Sequence, residues 1–311
     1  GCKIITGKSI YLGEDPGEGG YKIANPGYYE NVALLDIASM HPSSAIALNI
    51  FGDEITARFK ALVYGRVAVK HIREIGDKAY NEALDILGKL GDDIVTVIEG
   101  YFKDGYDAGE SVKYLAKNLA NALKTAINSV YGLTSAAFPN KLKDPRNVDN
   151  IVAKRGALFM LTLKHKLVDM GVTIVHISTD SIKIANATPE IIKFVSDFGA
   201  EYGYTFEHEA TYDRMCLVNK AVYIAKYADK DFCEKLYGYI PGDNKKKSNK
   251  WTATGTQFAV PYVFKKLFSH EEIVLEDMCE TKNVKSALYL DFNEGLPEGE
   301  HNYVFVGKTG Q

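Results

Sequence analysis

Residues 176–185, HISTDSIKIA, hold a single acidic residue inside an otherwise apolar run. β-Branched residues dominate both arms, and residues 178–181 are of the types that favour tight turns, so the pattern predicts two strands joined by a hairpin turn. Asp180 lies at the tip of this hairpin. One interpretation is an Asx-turn, in which the carboxylate binds its own backbone. The other is a metal ligand, which requires a second carboxylate nearby.

A second acidic residue, Asp36, has a similar context. Residues 32–35, Val-Ala-Leu-Leu, predict a short apolar strand, and Asp36 follows it directly. The residue could merely end the strand, but like Asp180 it stands between an apolar strand and small hydroxyl residues. Two such carboxylates on adjacent strands would hold two divalent cations about 4 Å apart. Because hard oxygen ligands favour Mg²⁺ or Mn²⁺ over zinc, we expect two Mg²⁺ ions, with Mn²⁺ as a substitute.

The sequence also predicts two helices. Pro42 breaks the strand pattern, and the two serines that follow it are suitable caps for a helix over residues 45–50. Residues 111–130 predict a second helix, because their apolar side chains recur with helical spacing. We expect Gly132 to end this helix.

One face of the second helix carries Lys124, Asn128 and Tyr131, which lie four and three residues apart. Such a polar face is usually solvated. Alternatively, a lysine, an amide and an aromatic ring on one face would contact a phosphate, a sugar and a base.

Composition sets broad limits. The chain has 311 residues, of which 46% are apolar and 25% charged, as is typical of a soluble globular protein. It has no apolar run of the ~18–20 residues that span a bilayer and no signal-peptide pattern, so we expect no membrane partner. The cysteines are far apart, which argues against a zinc or disulfide framework and favours a reducing interior. They are Cys2, Cys216, Cys233 and Cys279.

Without an initiator Met, the chain resembles a fragment of a longer protein.

Charge is informative only locally. The formal net charge is -3, but residues 212–270 contain 11 Lys and Arg against 5 Asp and Glu. Such an excess is a suitable footprint for a phosphate backbone. For the three lysines at 245–247, a solvated basic surface is an equally good explanation.

Three segments, in this order, resemble motifs A, B and C of family B DNA polymerases. Motif A, an Asp followed by two residues and Ser-Leu-Tyr-Pro-Ser, stands here as DIASMHPS at 36–43. Motif B, Lys-x-x-x-Asn-Ser-x-Tyr-Gly, is matched by residues 124–132, and motif C, Asp-Thr-Asp-Ser, by Ser-Thr-Asp-Ser at 178–181. Residues 220–223, KAVY, resemble the Lys-x-x-Tyr element that contacts the primer-template duplex, and residues 250–255 resemble the segment that leads to the thumb. The sequence around motif A and the compact spacing resemble phage polymerases.

The resemblance implies an α+β fold with the right-hand architecture of polymerases. An antiparallel-sheet palm would comprise residues 1–50 and 134–235, and helical fingers would be inserted between them at 51–133. An incomplete thumb would follow at 236–311. The fingers would carry several cations, namely Arg58, Lys60, Arg66, Lys70 and Arg73.

The function that the resemblance implies is template-directed DNA synthesis, in which a deoxynucleotide is transferred from a dNTP to a primer 3′-hydroxyl. Asp36, Asp180 and the backbone carbonyl of Ile37 would hold two Mg²⁺ ions. Primer-template DNA and dNTPs would be the partners, and a processivity factor or terminal protein is compatible but not indicated. A phage-encoded enzyme would work in the host cytoplasm.

The resemblance also assigns binding residues. Those for the nucleotide would be the backbone amides of Ser39, Met40 and His41 and the side chains of Lys124, Asn128 and Tyr131. Those for DNA would be Thr179, Lys220, Tyr223, Lys250 and Gly132.

Two positions depart from the family pattern. Ser178 replaces the first Asp of motif C, although Asp180 retains the second one, which is the essential ligand in the family. His41 replaces the tyrosine that excludes the ribose 2′-hydroxyl, so discrimination against ribonucleotides is expected to be weaker. The alternative to an active enzyme is a catalytically impaired, polymerase-like module that binds nucleic acid, and Ser178 favours it.

Overall fold

The computed structural model of the chain describes residues 3–5, 8–17, 19–91, 93–134, 136–148, 150–255, 272, 274, 288–291 and 303–307. The strands are β1 (Lys3–Ile5), β2 (Lys8–Ile10), β3 (Lys22–Ala24), β4 (Gly27–Ile37), β5 (Ile174–Ser178), β6 (Ser181–Ala185), β7 (Phe206–Asn219), β8 (Val222–Tyr227), β9 (Trp251–Thr254), β10 (Leu288–Asp291) and β11 (Tyr303–Gly307). The helices are α1 (Met40–Ala47), α2 (Asp53–Lys70), α3 (Lys78–Gly88), α4 (Ile94–Asp107), α5 (Val112–Thr134), α6 (Pro145–Val148), α7 (Ile151–Asp169), α8 (Pro189–Glu201), α9 (Lys230–Tyr237) and α10 (Asn244–Lys247).

An antiparallel sheet of seven strands is the main feature of the fold. Its strand order is β3-β5-β6-β4-β7-β8-β9, so β4 lies between β6 and β7. The predicted hairpin is present as β5 and β6, which pair from Ile174 opposite Ile184 to Ser178 opposite Ser181. The expectation of mixed helices and an antiparallel sheet is thereby confirmed.

The two faces of this sheet differ because side chains alternate along each strand. On one face, Leu35, Ile182 and Ile184 are buried against apolar residues of α7 and α8. On the other face, Leu34 joins a smaller apolar cluster with residues of β7 and β8. Asp36 is two residues beyond Leu34 and therefore shares this second face. The described residues of the apolar cluster on this face belong to strands and not to helices.

Helices α2 to α5 form a separate layer with its own core, which includes Val69, Leu87, Phe102 and Leu115. Gly65 allows α2 and α3 to approach closely, because a Cβ at this position would lie within 2.5 Å of the Leu87 side chain. These helices lie between β4 and β5 in the chain, and α5 contacts α1.

The predicted helix boundaries differ from the observed ones. The first helix spans Met40–Ala47 and not residues 45–50, and the serines predicted as caps lie inside it. Pro42 is tolerated because the first turn of a helix needs no backbone N–H. The second helix continues through Gly132 to Thr134, so Gly132 does not end it. A single glycine weakens a helix by only about 1 kcal/mol, which packing readily offsets.

The chain divides into two compact units, Gly1–Thr254 and Gly255–Gln311. In the second unit, β10 and β11 pair as an antiparallel hairpin. Most of the predicted thumb, as well as Cys2 and Cys279, lies outside the described residues, whereas Cys216 and Cys233 have free thiols. Of the helices in the described ranges, none combines the length and apolar character required to cross a bilayer.

Candidate active site

Asp36 and Asp180 reach the same cleft from neighbouring strands. Asp36 pairs with Ser181 in the ladder between β4 and β6, so the two acidic residues are one position apart across the sheet. The backbone N–H of Ile37 donates to the carbonyl oxygen of Asp180 over 2.8 Å, which fixes the end of β4 to the hairpin turn. Both acids line a cleft of about 350 Å³. The sequence therefore brings the two predicted ligands together through strand register.

The turn that presents Asp180 is held from outside the hairpin. Thr179 has a left-handed backbone conformation with φ 57°, and its N–H donates to the carbonyl of Tyr21 over 3.0 Å. A side chain at Gly20 would collide with Thr179. Among the described residues, no hydrogen bond to the Asp180 carboxylate accompanies the turn, so the structure does not support the Asx-turn interpretation.

The electrostatics of Asp36 are those of a crowded acidic site. Burial raises the pKa of Asp36 most, and the carboxylates of Asp180, Glu209 and Glu207 add to the rise while Lys183 opposes it. The resulting pKa is about 7. A carboxylate that is disfavoured by its neighbours gains most from an added cation. The cleft is thus poised to bind positive charge.

Two of these acids, Glu207 and Glu209, were not predicted from the sequence. Glu207 lies opposite Asp36 in the ladder between β4 and β7. The next pairs are Leu35 with His208 and Leu34 with Ala210, so Glu209 is the extra residue of a β-bulge. Both glutamates line the cleft. Bulges next to active sites re-aim side chains, and they have no reliable sequence signal.

The opposite wall of the cleft is basic. Lys124 and Asn128 on α5 line it as expected, together with Arg66 and Lys70 on α2. Arg66 is anchored, because its Nε donates to the carbonyl of Ala120 on α5 over 3.2 Å. Arg66 and Lys70 are four residues apart and therefore share one face of α2. This spacing is the sequence pattern from which both could have been predicted as site residues.

The start of α1 forms the floor of the cleft. Ser39 directly precedes the helix with a left-handed backbone conformation of φ 60°, and it lines the cleft. Met40 is 3% exposed and packs against Gly156, so only its backbone is available to a ligand. His41 instead stacks on Tyr131, with ring centres 5.5 Å apart. Tyr131 thereby lies beside the cleft without lining it.

The predicted DNA-binding residues lie on other parts of the sheet and of α5. Lys220 is exposed in the turn between β7 and β8, and Tyr223 is half-buried on β8. Lys250 directly precedes β9, and its carbonyl accepts a hydrogen bond from the Tyr227 N–H over 2.9 Å. Gly132 is exposed within α5. None of these residues is among the described residues that line the acidic cleft, and neither is Thr179.

The donor set of the cleft suits a hard divalent cation. Four carboxylates line the cleft, and among the described residues no Cys or His lines it. Oxygen atoms are the ligands that Mg²⁺ and Mn²⁺ prefer. In the part of the chain that the structure describes, no group of three or more Asp, Glu, His or Cys side chains is arranged to hold a metal ion.

Comparisons with known proteins agree with the motifs. No family model matches the chain. DNA polymerase 2 of Aeropyrum pernix is 23% identical over 255 residues, which represent 80% of this chain and 30% of the relative. The solved family B DNA polymerase of Pyrobaculum calidifontis aligns with a TM-score of 0.45 and 15% identity, covering 89% of this chain and 37% of that one. The chain thus spans about a third of the length of either protein. The sequence match over most of the chain supports the resemblance that the ordered motifs predict: the chain is similar to part of a DNA polymerase.

Proposed function

We propose that the chain carries the catalytic centre of a DNA-directed DNA polymerase. The observation that carries the proposal is the composition of the cleft, in which Asp36 and Asp180 face Arg66, Lys70 and Lys124. An acidic wall suits divalent cations, and a basic wall suits the triphosphate of a nucleotide that those cations accompany.

Each wall has a role in this proposal. Asp36, Asp180 and the carbonyl of Ile37 would hold two Mg²⁺ ions, which when bound lower the pKa of the primer 3′-hydroxyl and stabilise the leaving pyrophosphate. Lys124 and the two cations of α2 would bind the phosphates and neutralise the charge that develops on them. The backbone N–H groups at the start of α1 would add donors for the same phosphates, because the amino end of a helix favours anions.

The remaining residues would contact sugar, base and duplex. Asn128 and Tyr131 would border the new base pair, and His41 would lie beneath the sugar. Lys220, Tyr223, Lys250, Gly132 and Thr179 would contact primer-template DNA.

The proposed layout assigns the main sheet to a palm of residues 1–50 and 134–235 and α2 to α5 to fingers of residues 51–133. Residues 236–311 would begin the thumb. A polymerase acts where its template is, so an intracellular location is part of the proposal. A phage origin, a processivity factor and a terminal protein are compatible with this proposal.

A second candidate function is binding of primer-template DNA without catalysis. Ser178 favours it, since the site has one carboxylate fewer than the motif supplies. The retention of Asp36, Asp180 and Lys124 in one cleft argues for catalysis. For Ser178→Asp we expect activity to persist, because the family tolerates a carboxylate at this position.

Extension of a 5′-labelled primer on a DNA template, with all four dNTPs and Mg²⁺, separates the two functions. The polymerase proposal predicts extension that stops when EDTA is added and whose product follows the template sequence. The binding module predicts a stable complex with the same DNA and no extension in Mg²⁺ or Mn²⁺. Absence of extension by folded, DNA-binding protein would overturn the proposal.

A further inference from the structure

A buried lysine lies next to the acidic wall of the cleft. Lys183 on β6 is only 4% exposed, and it pairs with Leu34 on β4 and with His176 on β5. Its Nζ is 3.2 Å from Nδ1 of His176 and 5.1 Å from the centre of the Tyr223 ring. A buried ammonium is costly unless neighbouring groups compensate it, so these neighbours indicate its role.

The hydrogen bonds of His176 define its tautomer. Nε2 lies 3.1 Å from the carbonyl oxygen of Lys220, which can only accept, so Nε2 carries the proton. Nδ1 is then an acceptor, to which the Lys183 ammonium donates. Burial lowers the pKa of His176 to about 4, and the charge of Lys183 contributes, so the ring is neutral. The result is a fixed bridge from Lys183 to the backbone of the turn between β7 and β8.

Lys183 also lies close to the acidic cleft. It pairs with Leu34, two residues before Asp36 on β4, so its side chain is on the same face of the sheet as that of Asp36. Burial lowers the pKa of Lys183 and the charges of Asp36, Glu209 and Asp180 oppose that shift, which leaves the pKa at about 8. Lys183 in turn lowers the pKa of Asp36. The ammonium therefore donates to His176, and it shares the sheet face of Asp36, whose charge it favours.

We propose that Lys183 and His176 are positioning residues that join the cleft carboxylates to the turn carrying Lys220. One buried polar chain thereby sets the geometry between the site of chemistry and the turn that contacts the duplex. The inference rests on the proposed function, since it assigns the two ends of the chain to catalysis and to primer-template binding. If Lys183 and His176 only filled space, apolar side chains of similar length would replace them without loss of function.

The experiment measures two quantities for each variant: the dissociation constant for primer-template in EDTA, and kcat for extension at saturating DNA and dNTP. The variants are His176→Phe, His176→Gln and Lys183→Met. Lys193→Met is the matched control, because Lys193 is an exposed lysine that pairs with Asp197 on α8. Melting temperatures establish that each variant is folded.

His176→Phe removes the donor to the Lys220 carbonyl but leaves the ammonium, so the dissociation constant should rise about fivefold to tenfold, as for one lost buried hydrogen bond, while kcat changes less than about twofold. His176→Gln retains a side-chain N–H and should recover most of this loss. Lys183→Met should weaken DNA binding similarly and also lower kcat by at least about tenfold, since the carboxylates lose their compensating charge. The double variant should bind DNA no more weakly than Lys183→Met, because the two residues act in one chain.

The inference is overturned if folded His176→Phe binds DNA as the wild type does, or if His176→Gln and His176→Phe are equally impaired. If Lys183→Met does not fold, the two His176 variants decide the matter on their own. A wild-type protein that fails to extend any primer would contradict the proposed function, whereas the ranking of dissociation constants would still test the bridge.

Discussion

The imidazole of His41 and the phenol ring of Tyr131 lie parallel, with their centres 5.5 Å apart and their planes inclined by 7°. His41 belongs to the first turn of α1 and Tyr131 to the last part of α5, so the stack joins two sides of the site. Burial lowers the pKa of His41, which keeps the ring neutral near pH 7. Its buried Nδ1 has no hydrogen-bond partner among the described residues. Because an unpaired buried polar atom is costly, His41 is suited to bind one further polar group.

We predict that His41 controls selection between deoxy- and ribonucleotides. Histidine reaches less far than the tyrosine of the family motif, so it should exclude a 2′-hydroxyl less strictly. His41→Tyr should therefore raise the ratio of insertion efficiency for dNTP over rNTP, and His41→Ala should lower it. Single-nucleotide insertion kinetics give this ratio directly. Equal ratios in all three proteins would show that His41 is not the gate.

The pKa of Asp36 predicts how stability depends on pH without metal. In the folded chain this pKa is about 7, against an ordinary value of 3.8, so the folded state binds the proton more tightly than the unfolded state. The contribution of Asp36 therefore favours folding below about pH 4 and is lost as the pH rises through 7. In EDTA, the melting temperature of the wild type should fall more between pH 5 and pH 8 than that of Asp36→Asn. Parallel curves would contradict the crowding of carboxylates.

Metal binding should reverse that loss. Divalent cations require the ionised carboxylates, so Mg²⁺ should raise the melting temperature of the wild type at pH 8 more than at pH 5. A ligand at 100 times its dissociation constant stabilises by about 2.7 kcal/mol, which a thermal scan detects readily. Asp36→Asn should respond weakly, and Asp197→Asn, an exposed acid paired with Lys193, should respond as the wild type does. An equal response in Asp36→Asn would remove Asp36 from the metal site.

Lys70 provides a test of the basic wall. It is exposed on α2 and lines the cleft, so we expect Lys70→Ala to raise KM for dNTP about threefold to tenfold, in line with a partly screened phosphate contact. Lys60→Ala is the control, because Lys60 is an exposed lysine of the same helix that does not line the cleft. Steady-state insertion at varied dNTP measures the difference. If both variants raise KM equally, the effect reflects net charge and not this wall.

Lys220 should contribute to duplex binding through charge alone. Its exposed side chain lies in the turn between β7 and β8. Removing one phosphate contact should reduce the slope of log K against log salt by about one unit, with little change in sequence preference. Fluorescence anisotropy at several salt concentrations measures the slope for Lys220→Ala, with Lys193→Ala as the control. An unchanged slope would locate Lys220 away from DNA.

The local patterns around Asp36 and Asp180 were sufficient to predict their strands and turn. In both places apolar β-branched or aliphatic residues run up to a single acid, and the pairing of β4 with β6 then follows from placing both in one sheet. The face shared by Lys124 and Asn128 was likewise readable from helical spacing.

Other features depend on tertiary context and could not be predicted. Glu209 reaches the cleft through a bulge in β7, which alternation does not encode. The start of α1 is set by the left-handed backbone of Ser39 and by the packing of Met40 on Gly156, and not by a side-chain cap. The hydrogen bond between Lys183 and His176 depends on the register of β5 and β6, which the sequence alone does not give.

The most direct test of the central claim compares primer extension and DNA binding in the wild type, Asp36→Asn and Asp180→Asn. Each substitution removes a charged ligand while conserving shape, so the claim predicts Mg²⁺-dependent extension by the wild type and a loss of at least about 10³-fold in both variants. Primer-template affinity should stay within about twofold, since it depends mainly on basic residues elsewhere. Near-normal turnover in either variant would contradict the assignment of these two carboxylates to the catalytic centre.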